Sequence, residues 1–162
     1  TLMAYTVHTT EGFILFSAPV GEANRIYHIF TREFGVIIAT AQGVRLNKSK
    51  LRPHLLDYSF SSVSFVKGKE FWRITSASSI SKSKDKTYIQ ILSILKRLLQ
   101  GEGEHEALFD YLKEELSKEN LDETKLMIRI LLDLGYIDKK EITDDKKAQI
   151  SLINKGLKES QL

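Results

Sequence analysis

The chain has 162 residues, 42% of them hydrophobic, with 24 Lys+Arg against 21 Asp+Glu and no cysteine. That length and apolar content support one packed domain, or a small barrel with a helical companion, and argue against disorder throughout. The lack of thiols excludes disulfides and cysteine-ligated metal, and no apolar run approaches the roughly 20 residues of a membrane span, so a soluble, cytoplasmic protein is expected.

From the N-terminus, short β-type runs rich in Val, Ile, Phe, Tyr and Thr fall over residues 12–16, 25–30, 36–41, 58–66 and 70–75, divided by Gly, Pro, Asn, Ser and Lys. Residues 6–10 are polar and β-branched and suit either an early part of the first strand or a lead into it. Five strands in about 75 residues match an OB-type barrel. Lys67-Gly68-Lys69 reads as the hairpin turn between the last two strands. Gly21, Gly35 and Gly43 suit turns with positive φ. Residues 76–86, SASSISKSKDK, carry only Ile80 as a large apolar residue and read as a linker.

Beyond that stretch the apolar period lengthens. Tyr88, Ile91, Leu92, Leu95, Leu98 and Leu99 mark one helix, and Leu108, Phe109, Leu112 and Leu116 a second, with Gly101 and Gly103 between them. Glu102, Glu104 and Glu106 precede the second helix, where acids favour the positive end of the dipole. A third helix starts at Asp122 as N-cap, ends at Gly135 and is apolar on most sides, so it should be the bundle's centre. A fourth begins near Thr143, with Asp144 and Asp145 at its start and Ile150, Ile153 and Leu157 as its stripe. The expected fold class is therefore α+β: a five-stranded OB barrel over residues 1–80 and an α-helical part over 81–162.

Charge follows the same division. Residues 1–80 hold 9 Lys+Arg against 5 Asp+Glu, whereas residues 81–162 hold 15 against 16. The excess is densest in the loop after the third strand, where Arg45, Lys48, Lys50 and Arg52 occur with no intervening acid. Such a rim suits a phosphate backbone. Further candidate cations are Arg25, Lys67, Lys69 and Arg73, and candidate stacking faces are Tyr27, Tyr58, Phe71 and Trp72. Strand alternation puts Trp72 and Ile74 on one face and Phe71 and Arg73 on the other. With Trp72 in the core, Phe71 and Arg73 face outward. Arg25 equally suits a local ion pair with Glu22.

Catalytic patterns do not emerge. His8, His28, His54 and His105 lack metal-ligand spacing, no GxSxG elbow occurs, and no phosphate loop of the GxxxxGK type is present. A nucleophile, a base and an orienting group cannot be assembled, so no enzyme, metal or cofactor is expected.

Several segments together resemble the RecO family of bacterial DNA repair and recombination mediators. They are Gly21-Glu22 with Arg25-Ile26, Phe30-Thr31-Arg32-Glu33-Phe34-Gly35, Ala41-Gln42-Gly43-Val44-Arg45, Lys48-Ser49-Lys50-Leu51-Arg52 and Glu70-Phe71-Trp72-Arg73-Ile74. In the helical half, His105-Glu106-Ala107-Leu108-Phe109 and the run from Ile128 to Tyr136 carry the likeness further. The resemblance implies an N-terminal OB-fold and a helical C-terminal domain that often holds a cysteine zinc motif after the Gly-Tyr pair. Here Gly135-Tyr136 is followed by Ile137-Asp138-Lys139-Lys140, so a shortened helical domain without zinc is expected. It also implies binding of single- and double-stranded DNA, strand annealing and recombinase loading, with RecR and the C-terminal tail of single-stranded DNA-binding protein as partners. Other readings are an interaction adaptor with weak DNA binding and an RNA-binding OB module.

Overall fold

The computed structural model describes residues 6–46, 48–101 and 103–161; Glu102 of the acidic trio lies outside them. Strands β1 (His8–Val20), β2 (Asn24–Thr31), β3 (Gly35–Ala41), β4 (Ser59–Lys67) and β5 (Trp72–Lys82) close a barrel in the order β1-β2-β3-β5-β4. Among the described strands only the β3–β5 pair is parallel, through Ala39↔Trp72 and Thr40↔Arg73. This is the expected OB-type barrel.

β1 begins before its apolar run, as its polar, β-branched lead allows: His8, Thr9 and Thr10 pair with Phe65, Ser64 and Val63 of β4. The end of β5 differs from expectation. The stretch after Thr75 is no linker through Lys82: Ser76, Ser78 and Ser79 pair with Ser64, Ser62 and Ser61 of β4, which extends β5. Its serines are strand residues on a largely exposed face, where large apolar side chains are not needed.

The barrel wall is apolar on both sides, and this fixes where the helices go. Ile14, Tyr27, Ile29, Ile37, Val63, Phe65, Trp72 and Ile74 fill the interior. On the outer face Phe13, Leu15, Phe30, Val36 and Phe60 would meet water, and the helices cover them in a second core. Those helices are α1 (Lys86–Leu98), α2 (Glu106–Glu115), α3 (Glu123–Asp133) and α4 (Lys146–Glu159). α3 touches each of the other three, as its broad apolar surface requires.

Caps set the helix ends. Asp85 accepts from the Thr87 and Tyr88 amides, Asp122 from Lys125 and Asp145 from Ala148. α4 therefore starts a few residues later than Thr143. Gly135, at φ +80°, closes α3: its amide bonds Leu132 O, and the Tyr136 amide bonds Leu131 O. No helix of the described residues is long and apolar enough to cross a membrane.

Candidate nucleic-acid interface

The basic loop joins β3 to β4, and its backbone is pinned at several points. Gly43 takes a φ of +67°, which a side chain would strain, and its amide donates to Asn24 Oδ1 at 2.8 Å. The Arg45 amide donates to Ala23 O at 2.9 Å and its guanidinium to Gly21 O at 2.8 Å, so the loop is tied to the β1–β2 turn. Ser49 Oγ accepts from the amides of Leu51 and Arg52, leading into a 3₁₀ turn over Arg52–His54. Val44 and Leu55 are buried in the barrel interior and plug the loop at both ends. His54 fastens the far end: its Nδ1 accepts from the Ser79 amide, and its carbonyl accepts from Ser61 Oγ.

With the backbone held, the cations project outward. Arg45, Lys48, Lys50 and Arg52 are all exposed, and the ion pairs of the described residues involve none of Lys48, Lys50 and Arg52. Arg25, Arg45 and Arg52 converge on one recess of about 280 Å³, floored by Tyr27 and Leu55 and edged by Ser17 and Asp57. Arg25 does not pair with Glu22. Its Nη2 donates to Ser17 Oγ at 2.8 Å, and Ser17 Oγ donates to Asp57 Oδ1 at 2.7 Å. Burial pushes the Tyr27 phenol above its ordinary pKa against the pull of Arg25, with Asp57 adding to the rise. A recess with three guanidiniums and one carboxylate suits an anion.

Lys67, Lys69 and Phe71 form a second group. They line a cleft of about 570 Å³ between the β4–β5 turn, the outer faces of β2 and β3, and the C-terminal end of α1. The turn is drawn tight by a 3.0 Å bond from the Gly68 amide to Phe71 O. Phe71 is 39% exposed, whereas Trp72 and Ile74 are buried in the interior as strand alternation predicts. Arg73 is exposed on β5. It stands opposite Thr40, and Ala41 pairs on β3's other side with Arg25. The Arg73 and Arg25 backbones thus lie about two inter-strand spacings, roughly 10 Å, apart, with Arg25 on the face that carries Tyr27 and Ile29 and Arg73 facing outward.

Of the stacking candidates, Phe71 alone is exposed. Tyr27 faces inward beside Ile29 and is 2% exposed, because β2's inward face is the one that carries Tyr27. Tyr58 is half-buried against the helical core. Sequence reasoning missed Lys96 and His28, which also line the cleft. Lys96 Nζ sits 3.6 Å from the centre of the Phe16 ring, and that ring packs edge-on to His28. Burial and then Lys96 hold His28 below the ordinary imidazole pKa. The sequence signal was a lone lysine on a polar helix face, which carries no direction by itself.

Among the described residues no group of three or more His, Asp or Glu is placed to hold a metal. A family model described as "Recombination protein O N terminal" matches residues 3–83, which include the whole barrel. Among known proteins, the chain is 37% identical over 71 residues to the DNA repair protein RecO of Dehalococcoides mccartyi, covering 44% of this chain and 28% of that protein. It is 28% identical over 102 residues to RecO of Clostridium acetobutylicum, covering 59% and 41%. With RecO of Halalkalibacterium halodurans it shares 25% identity over 113 residues, covering 65% and 44%. The matched part spans less than half the length of each relative. With half of its residues matched by the family model, and those residues forming a closed barrel with a cationic rim, the chain belongs to the recombination protein O family.

Proposed function

We propose that the protein is a non-catalytic DNA-binding mediator of DNA repair and homologous recombination. In this reading the barrel, residues 1–80, binds single- and double-stranded DNA, while residues 81–162 form its helical companion. Annealing and assistance to recombinase loading would follow from charge neutralisation and base stacking, with no bond made or broken. The observation that supports it is the convergence of Arg25, Arg45 and Arg52 on one recess, beside Lys48 and Lys50 on a pinned loop. In this reading Lys67, Lys69, Phe71 and Arg73 would supply further contacts. Three lost phosphate contacts should flatten the salt dependence of single-strand binding by about 2 in log–log slope. Fluorescence anisotropy of a labelled oligonucleotide across salt, with K48A/K50A/R52A, tests this. Undetectable binding at low salt, or a variant that matches the parent, overturns the reading. Equal competition by a matched RNA would move the substrate class to RNA.

An adaptor role has its own support. A groove of about 830 Å³ runs over α3, with Tyr111, Leu121, Ile128 and Ile142 as apolar lining and Lys125, Arg129 and Lys146 against Asp122 and Glu123 at its edge. Such a groove fits an apolar peptide segment, proposed here as the tail of single-stranded DNA-binding protein, while RecR would contact the barrel, with DNA bound only weakly. A pull-down against each, with I128E as the control variant, tests it.

A further inference from the structure

We propose that the cleft between the β4–β5 turn and the end of α1 is a pocket for one unpaired nucleotide, giving the protein a preference for single strands over duplex; this rests on the DNA-binding reading above.

The cleft has the two chemistries that a nucleotide needs. Phe71, Leu99, Val36 and Ile38 offer apolar surface, and Lys67, Lys69 and Lys96 bring three ammonium groups against the one carboxylate of Glu70. Its volume of about 570 Å³ lies within the usual range for small-ligand sites. Phe71 is the one exposed aromatic of the four stacking candidates, and it stands at this cleft and not at the arginine recess. Lys96 is held in place over the Phe16 ring, so its charge is fixed at the wall. His28 stands at the same wall, where its imidazole can exchange hydrogen bonds with a base edge, and burial, then the Lys96 charge, disfavour its charged form.

The cleft is also reachable from the basic loop. Arg73, exposed on β5 two residues beyond Phe71, pairs with Thr40 of β3, whose neighbour Ala41 pairs with Arg25. Bases in a duplex are paired and stacked, and entering the cleft would cost their unstacking. Bases of a single strand are free to turn in. The backbone contacts of the loop serve both forms equally, so discrimination would come from the cleft.

The test is the ratio of single-strand to duplex affinity, measured by anisotropy for the parent, Phe71→Leu, Phe71→Trp and Lys96→Gln, with thermal unfolding followed in parallel. Phe71→Leu should lower the ratio at least about fivefold, as expected for one lost base stack. Phe71→Trp should restore it, and Lys96→Gln should lower it at unchanged unfolding temperature. A 2-aminopurine base in the oligonucleotide should change its fluorescence with the parent and not with Phe71→Leu. If K48A/K50A/R52A weakens binding while the Phe71 and Lys96 variants leave the ratio unchanged, the nucleotide pocket is wrong and the DNA-binding reading stands. If the parent binds neither form of DNA, both fail. Protection of the cleft by an acidic peptide in place of the oligonucleotide also overturns the assignment.

Discussion

Phe109 of α2 meets Phe30 of β2 edge to face, with ring centroids 5.3 Å apart and planes at 78°. The same ring lies 5.5 Å from Phe13 and 6.1 Å from Phe60, so one helical side chain fills a hollow made by three barrel strands. This contact makes the barrel's outer wall and the helices one core. Phe109→Ala should cost about 3–5 kcal/mol, the range for a large buried aromatic. Denaturation followed by Trp72 fluorescence and by far-UV circular dichroism should shift together. Loss of helical signal alone, with the fluorescence midpoint unmoved, would show that the barrel does not depend on the contact.

Charge fastens the same seam. Arg32, in the β2–β3 turn, grips Asp110 of α2 through Nε–Oδ1 at 2.9 Å and Nη2–Oδ2 at 3.1 Å, and Lys113 Nζ lies 2.7 Å from Glu11 Oε2. Hydrogen bonding to Arg32, then the charges of Arg32 and Lys113, hold the Asp110 carboxyl below its ordinary value of 3.8. A depressed carboxylate contributes stability above its unfolded value and loses it as pH falls through the folded one. The unfolding temperature of the parent should therefore exceed that of Asp110→Asn by a constant margin at neutral pH. That margin should close in acid, below about 3.8, and shrink with added salt because the pair is exposed. A margin that survives in strong acid would place its origin in packing.

Much of the scaffold was legible because its signals are local. Alternating apolar runs marked all five strands, and Asp122, Gly135 and the 3.6-residue period marked α3. What escaped was set by pairing between distant segments. Ser76–Ser79 is a strand only because the serines of β4 lie opposite. The site divides likewise. The loop cations stood out by spacing, but Arg25 joins Arg52 only once the barrel closes, and Lys96 reaches the cleft only because α1 packs on β1. Tyr27 shows the converse: an aromatic in a basic neighbourhood whose strand face turns it inward.

Asp57 moderates the arginine recess. It receives the Ser17 hydroxyl that in turn receives Arg25, so its carboxylate opposes the field an incoming phosphate would feel. Asp57→Asn keeps an acceptor for Ser17 while removing the charge. DNA affinity at low salt should rise about 1.4- to fivefold, the effect of a surface charge worth about 0.2–1 kcal/mol. Anisotropy against one oligonucleotide decides the matter; unchanged affinity would mean that phosphates do not approach this recess.

Gly68 tests whether the β4–β5 turn presents the second group. A Cβ at this position would fall on the carbonyl oxygen of Phe71, the atom its own amide bonds, and backbone cannot swing aside as a side-chain tip can. Gly68→Ala must therefore open the turn that carries Lys67, Lys69 and Phe71, at about 1–3 kcal/mol of overpacking. The unfolding temperature should drop by about 2–4 °C for each kcal/mol. Single-strand affinity should fall with it, because the lysines and the ring lose their common placement over the cleft. Full affinity in a variant with the lowered unfolding temperature would show that the turn supports the barrel without arranging the ligand.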